Sequence, residues 1–529
     1  MKNTSKKIKR CSHMPSHILF FLVDDYGFAD ASYKNAMYPG AASPPTPAID
    51  ALALGGVRLE SYYVHQLCSP TRTALLSSRY AYSIGAEDSV IVDGVSGDMP
   101  LNVQTMADRL SKGGWKTSAY GKWDAGMTVW GSTPTCRGFD HFAGFYSAAT
   151  DYFTHDVGGP ILDFRFDVKP DKGELGNYST EVFTQRAQAW ITEQVQSHDA
   201  ETPLKTFAYV AHEAVHGPMD GPQRLYDGAC AELVGPGHPI RQTYCAMVRS
   251  LDESVANLTA TYKALGIWKD TLVILSTDNG GIPADGGNNF PLRGNKATVF
   301  EGGVRGISFV SGAGLSASVR GTISYGMMHV VDWGVTIVEG IAGLPLTPLG
   351  RPCPSCKTPP MPYDGVNQWP MLANGAKSER SEMLIEAHGV KGSGTELCYD
   401  PPTCTFIGEI ALRSGKWKII HGSTGVWNTI KKPDGTVSDG PKSGYICASR
   451  SGAVGWTAHR PDPKTGFPVK ENYGANESNP WCPNGWVPPP NAKNWVAPIP
   501  PPEVASNCTD TKAGCVFTGP SMFRDGGVS

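Results

Sequence analysis

The sequence predicts a mainly parallel α/β sheet sandwiched by helices over residues 16–345, with a smaller C-terminal α+β domain on an antiparallel sheet. Three observations carry this expectation. Short, wholly apolar runs recur, as parallel strands buried on both faces require. Polar residues stand just past the C-terminal ends of those runs, where open α/β sheets bind ligands. Segments with helical spacing lie between the runs.

The first strand is Ile18–Val23 (ILFFLV), followed by Asp24-Asp25. Thr117–Tyr120 precedes Gly121-Lys122, and Phe207–Ala211 precedes His212 and His216. Thr271–Ser276 runs into Thr277-Asp278-Asn279-Gly280-Gly281. Helices are expected over Thr46–Gly55 and Val103–Gly113, each ending at a glycine. A short helix over Thr73–Tyr80 would take Pro70 in its first turn. Tyr244–Leu265 carries Met247, Leu251, Val255, Leu258 and Leu265 at helical spacing. Past Pro345 the character changes. Residues 346–378 read as a Pro-rich connector and 379–529 as the smaller domain. Within it, Glu409–Ile420 forms a hairpin turning at Ser414-Gly415, and a Pro/Cys-rich tail follows.

A chain of 529 residues, 40% hydrophobic, can bury a large core. Its formal net charge of −3 gives no ground for nucleic acid or an anionic membrane as partner. No run approaches the ~20 apolar residues of a membrane span. Of the 13 cysteines, eight lie beyond residue 350. Setting Cys68 aside leaves an even number, which points to disulfides in an oxidising compartment. Cys353-Pro-Ser-Cys356 has neither a second ligand pair for zinc nor a thioredoxin-like setting, so it is read with the disulfides. Asn-x-Ser/Thr sequons at Asn3, Asn177, Asn257, Asn476 and Asn507 point the same way, to the secretory pathway and a lysosomal or extracellular location. Met1–Arg10 is basic, but no apolar signal core follows it; the cysteines are given the greater weight.

Asp24, Asp25, Asp278 and Asn279 are all oxygen donors, a set suited to a hard cation. Ca²⁺ is favoured because it tolerates irregular geometry. One Asp-Asp pair is ordinarily a strand-end turn; two acidic clusters on two strands of one sheet shift the reading to metal. The run Cys68-Ser-Pro-Thr-Arg72 is the most specific signal in the chain. A buried thiol or half-cystine has no need of Pro two residues on and Arg four residues on. At the start of a helix, Cys68 would also stand where an anion is favoured.

Cys-x-Pro-x-Arg resembles the sulfatase signature, in which the cysteine is converted to formylglycine. Other stretches match in the same order: Leu22–Gly27 (LVDDYG), Tyr62–Tyr80, Gly121–Met127 (GKWDAGM), Arg137–Asp140 (RGFD), Val215–Pro218 (VHGP), Ser276–Gly281 (STDNGG) and Gly286–Gly306. They cover residues 16–345, and the chain looks like an arylsulfatase, closest to the arylsulfatase B type. The resemblance implies an alkaline-phosphatase-like architecture and hydrolysis of a small-molecule or oligosaccharide sulfate ester. It also implies a formylglycine-generating enzyme as partner. Asp24, Asp25, Asp278 and Asn279 would hold Ca²⁺ together with the modified Cys68. Arg72 would hold the hydrated aldehyde, Lys122 and Lys296 the sulfate, and His216 would lie near the leaving oxygen. A metal and fixed cations stabilise charge that develops as the S–O bond breaks. A hydrated aldehyde carries two hydroxyls, one to attack sulfur and one whose deprotonation releases sulfate, a step an ordinary serine lacks.

Each assignment has a plainer rival. Lys122 and Lys296 as lysines are ordinarily solvated, and His212 competes with His216. Glu301 and Arg305 are read as structural. One departure stands out: the family's Gly-Lys-Trp-His is Gly-Lys-Trp-Asp here, placing Asp124 where the resemblance implies the base for the second hydroxyl. A carboxylate is a weak base at its usual pKa, so slow regeneration of the aldehyde is expected. Two alternatives stay open. One is a phosphate or phosphonate ester hydrolase of the same superfamily; the other is a catalytically impaired relative that binds sulfated glycans.

Overall fold

The computed structural model describes residues 14–39, 42–86, 98–157, 161–199, 201–234, 239–346, 362–388 and 409–422, with two short strand pairs further on. Cys353, Cys356, the sequons at Asn3, Asn476 and Asn507, and most of the tail lie outside the described residues.

The main sheet contains β1 (His17–Val23), β2 (Val57–Leu59), β3 (Lys116–Lys122), β4 (His141–Phe145), β5 (Arg165–Phe166), β6 (Lys169–Pro170), β7 (Thr206–His212), β8 (Thr271–Thr277), β9 (Ser308–Gly312) and β10 (Thr322–Ser324). Its order is β10-β2-β9-β8-β1-β7-β3-β4-β5-β6. The central run β8-β1-β7-β3-β4 is parallel throughout. Antiparallel pairing enters at β9, which returns against β8, and at β5 and β6 on the other edge. A mainly parallel α/β sheet is thus the observed class.

Alternation along β1 divides the interior in two. Ile18, Phe20 and Leu22 face one core with Tyr209, Ile274, Trp333 and Leu372; Leu19, Phe21 and Val23 face the other with Val210, Leu275, Leu251 and Trp190. A strand buried on both faces has no solvent side to mark with polar residues, hence its unbroken apolar run. The second core is roofed by α1 (Pro47–Gly55), α4 (Ser179–Gln196) and α5 (Pro239–Ala264); the first packs against α2 (Cys68–Ser77), α3 (Met106–Lys112) and α6 (Trp369–Asn374).

Several boundaries differ from expectation for local reasons. The helix expected at Thr73–Tyr80 begins at Cys68 and closes at Ser78 in the left-handed region (φ 56°). The helix expected from Val103 starts at Met106, because Thr105 and Asp108 form a reciprocal capping box. The helix expected from Tyr244 starts at Pro239, whose ring suits a first helical position. The connector 346–378 is not wholly irregular: Trp369 and Leu372 of α6 pack into the first core.

The expected hairpin is β12 (Glu409–Ser414) and β13 (Trp417–Gly422), antiparallel, with β11 (Glu382–His388) beside β12. Met383, Ile385 and Ala411 of this small sheet pack on Tyr63, Val299 and Val304. Glu301 anchors it through Lys418 (3.0 Å) and Tyr63 (2.8 Å), while Arg305 bonds Glu60 (3.4 Å). Both residues are structural, as read.

Candidate active site

Strand register builds the site. Val23 of β1 aligns with His212 of β7 on one side and with Thr277 of β8 on the other. The strands therefore end level, and the residues just past them converge. Asp24 N–H donates to the Ala214 carbonyl, Val215 N–H to the Asp24 carbonyl and Asp278 N–H to the Val23 carbonyl. These are the carboxyl ends of the central parallel strands, where open α/β sheets bind ligands. Gly121, in β3 just before Lys122, is needed there: a Cβ would lie 2.1 Å from the Ala211 carbonyl, and its φ is +93°. Gly280 brings the β8 loop against Gly302, whose carbonyl a Cβ would meet at 1.7 Å.

The ten residues singled out in the sequence form one connected, nearly closed cluster. Cys68 is the first residue of α2, wholly buried, and its Sγ donates to Asp24 Oδ1 at 3.4 Å. Arg72, one turn on, binds Asp24 Oδ2 at 3.2 Å and Asp278 Oδ2 at 3.0 Å, and donates to the Lys122 carbonyl at 3.0 Å. Lys122 Nζ lies 2.5 Å from Asp24 Oδ2 and 3.5 Å from Asp124 Oδ2. Lys296 Nζ lies 2.7 Å from Asp25 Oδ1. Asn279 Nδ2 donates to the same oxygen at 2.6 Å. His216 Nε2 is 3.7 Å from Asp25 Oδ2, and at 14% exposed its side chain is the most open of the cluster. Neither lysine is a solvated surface charge: Lys122 is 1% exposed and Lys296 3%. His212 turns away, bonding Ser254 in the core at 2.9 Å, so it does not compete.

Electrostatics follow from burial and charge density. Burial would push the Asp24 carboxyl up, but Lys122, with His216, Arg72 and Lys296, holds it well below the usual range. Asp278 moves the other way, raised by burial and by Asp24 despite Arg72. Burial first, then Asp24, raises the Cys68 thiol, so the unmodified side chain stays protonated and is a poor nucleophile. Burial raises Asp124 against the pull of Lys122 and Arg72. Burial and Lys296 lower His216 to about 4.

Besides Asp124 Oδ2, two buried oxygens of the cluster, Asp25 Oδ2 and Asn279 Oδ1, have no hydrogen-bond partner. Orphaned buried acceptors are costly, and a hard cation would satisfy both together with Asp24 and Asp278. The donor chemistry therefore fits Ca²⁺. Asp25 and Asp124 take φ of 50° and 48°, and Ala297, beside Lys296, takes 65°. Non-glycine residues seldom adopt this region, and such backbone strain gathers at functional sites.

Sequence reasoning missed three supports. Ser69 donates to Asp124 Oδ1, leaving Oδ2 without a hydrogen bond. Asp30 is a buried hub, bound by Arg241 (2.6 Å), Tyr244 (2.8 Å) and Asn288 N–H (2.8 Å), that ties the β1 loop to α5 and the β8 loop. Tyr152 OH donates to the His216 carbonyl at 2.8 Å. Each pairs residues far apart in the chain or rests on a residue type common on surfaces, so no local pattern marks it.

A family model described as Sulfatase matches residues 16–341. The chain belongs to the sulfatase family. It is similar to arylsulfatase J of Mus musculus, 32% identical over 417 residues, covering 77% of this chain and 64% of that protein; it thus spans less than two-thirds of that relative's length. It is 27% identical to N-acetylgalactosamine-6-sulfatase of Mus musculus (69% of this chain, 68% of that one). It is 29% identical to arylsulfatase A of Bos taurus (76% and 74%). The narrower B-type likeness draws no support from these relatives. In fold the chain is similar to Ps i-CgsB in complex with k-i-k-neocarrahexaose, with TM-score 0.62, 23% identity and coverage of 77% and 84%. It is also similar to the PsFucS1 sulfatase from Pseudoalteromonas sp., with TM-score 0.59, 24% identity and coverage of 77% and 78%.

Proposed function

We propose that this protein hydrolyses sulfate esters of carbohydrates or aryl alcohols, using a formylglycine made from Cys68 by a formylglycine-generating enzyme and a bound Ca²⁺. One observation carries the reading: Cys68 stands first in α2 with its Sγ on Asp24, inside a cluster that also holds Arg72, Lys122, Lys296 and two orphaned acceptor oxygens. Asp24, Asp25, Asp278 and Asn279 would hold the ion, with residue 68 facing it. When present, Ca²⁺ supplies Lewis-acid polarisation of the sulfuryl group, and the hydrated aldehyde supplies the nucleophilic oxygen.

The chain's own residues bind, orient and move protons. Lys122 and Lys296 are fixed in place by carboxylates, so they meet an incoming sulfate without reorganising. Arg72, held on Asp24, Asp278 and the Lys122 carbonyl, fixes the first turn of α2 and with it residue 68. His216 Nδ1 lies 2.5 Å from the Gly217 carbonyl, an acceptor, so Nδ1 carries the proton and Nε2 presents its lone pair to the site. At the open side, His216 stands where a leaving oxygen exits. Asp124 Oδ2 is the acceptor available for the second hydroxyl proton, as burial raises its basicity.

Residues 16–345 form the catalytic part in this reading, and 379–529 the smaller domain beyond the connector. The secretory route is supported by the Cys230–Cys245 disulfide and by exposed sequon residues Asn177 and Asn257. Among the described residues Cys136 forms no disulfide, and the nine cysteines other than Cys68, Cys136, Cys230 and Cys245 lie outside the described residues. Among the described residues no helix is long and apolar enough to cross a membrane. Purified protein carrying the aldehyde, assayed on a fluorogenic aryl sulfate and on the matching phosphate ester with and without Ca²⁺, tests the activity; preference for the phosphate ester would favour the phosphoester reading.

A further inference from the structure

Asp24, Asp25, Cys68 and His216 each offer one ligand atom, and these atoms lie within 4.8 Å of one another. We propose that, while Cys68 remains a thiol, these four side chains form a site for a borderline-soft divalent ion such as Zn²⁺ or Co²⁺, and that conversion of residue 68 to the aldehyde switches the site to Ca²⁺. This rests on the metal end of the site described above and not on turnover.

Donor chemistry argues for the switch. Cys68 supplies sulfur. His216 supplies nitrogen, because its Nδ1 is committed to the Gly217 carbonyl and Nε2 faces Asp25 Oδ2 at 3.7 Å with no hydrogen-bonding proton between them. Asp25 Oδ2 is buried and unpartnered, aimed into the same space. Sulfur and imidazole nitrogen with two carboxylates are a set that Zn²⁺ and its congeners take in four-coordinate geometry, with ligand bonds of about 2.0–2.3 Å. Small inward shifts of these side chains close the observed span around such an ion. Ca²⁺ needs six to eight hard oxygens and gains little from either soft donor. Replacing the thiol by a hydrated aldehyde turns position 68 into an oxygen donor and completes a hard set with Asp24, Asp25, Asp278 and Asn279.

Charge balance agrees. With every carboxylate ionised, the state a bound cation favours, three cations (Arg72, Lys122, Lys296) contact four carboxylates (Asp24, Asp25, Asp124, Asp278), leaving one net negative charge. On coordination the thiol proton passes to solvent; the thiolate brings the set to two negative charges, which a divalent ion cancels. In the aldehyde form the ion leaves one positive charge, which a sulfate monoester anion neutralises. The thiol form is thus self-sufficient with its metal, and the aldehyde form is left wanting an anion.

The experiment uses full-length protein made without conversion, Cys68 confirmed as a thiol by mass, and titrated with Co²⁺. The expected result is one Co²⁺ per chain with a sulfur-to-cobalt charge-transfer band. Zn²⁺ should displace it and a large excess of Ca²⁺ should not. Cys68→Ser should lose the band, and His216→Ala should weaken Co²⁺ roughly tenfold or more, both with the melting temperature of the metal-free protein unchanged. Absence of the band in the thiol protein, an equal band in C68S, or displacement by Ca²⁺ as readily as by Zn²⁺ would overturn the proposal. Failure of the aldehyde form to hydrolyse sulfate esters would sink the catalytic reading and leave this one standing.

Discussion

Asn279 turns its amide nitrogen onto Asp25 Oδ1 at 2.6 Å, and its own Oδ1 is left buried without a partner. In the proposed function the pair forms two sides of the ion site, with further oxygens from Asp24 and Asp278. Ca²⁺ should therefore stabilise the fold. At one hundred times its dissociation constant the gain is about 2.7 kcal/mol, read as a rise in melting temperature. Asn279→Ala should lose most of that rise; an equal rise in the variant would place the ion elsewhere.

Lys122 is buried against Asp24 and Asp124, so Lys122→Met takes one cation from both carboxylates and, in the proposed function, removes a charge that would bind sulfate. Breaking a buried pair costs about 3–5 kcal/mol, and loss of one fixed charge at a reacting centre costs on the order of 10²–10³ in kcat. Lys296→Met should behave alike through Asp25. Unchanged kcat in a folded Lys122→Met protein would remove that residue from the chemistry.

Asp124 is expected to slow the cycle after the alcohol leaves, since Ser69 occupies one oxygen and Lys122 stands 3.5 Å from the other. Stopped-flow assays should show a burst of alcohol followed by slower steady turnover. Asp124→His should raise the steady rate roughly tenfold or more and shrink the burst. Rapid steady turnover without a burst in the natural chain would contradict this role.

Glu213 offers a pH prediction outside the cluster. Burial raises its carboxyl from 4.5 to about 8, although hydroxyls of Ser179 and Thr150 bond it. The folded chain thus keeps a proton that the unfolded chain releases. That contribution is fully present below about pH 4.5 and is lost as pH rises through 8. Glu213→Gln should remove this dependence, so the variant gains on the natural chain by several kcal/mol between pH 5 and 8. Denaturant titrations at the two pH values check it; parallel curves would show that Glu213 is ionised when folded.

What the sequence made legible were features encoded in neighbouring residues. Short apolar runs marked β1, β3, β7 and β8, and polar residues past their ends marked Asp24, Asp25, Lys122, His216, Asp278 and Asn279; Cys68 and Arg72 came from the Cys-x-Pro-x-Arg run, and Asp124 and Lys296 from the resemblance. α4 was missed although Val182, Phe183, Ala187, Trp190 and Ile191 are buried along it, because polar residues between them dilute the pattern. Asp30 was missed because its partners Arg241 and Asn288 are more than 200 residues away. Ser69 was hidden in plain sight: only the fold shows that the residue after Cys68 faces Asp124. Helix starts shifted where a capping box or a proline set them.

Mass spectrometry of the Cys68 peptide, paired with hydrolysis of an aryl sulfate by the same preparation with and without a chelator, tests the central claim most directly. The account predicts an aldehyde at position 68 and sulfate release that falls with chelation and returns with Ca²⁺. Full turnover by protein whose Cys68 is wholly unmodified, or turnover indifferent to chelation, would contradict it.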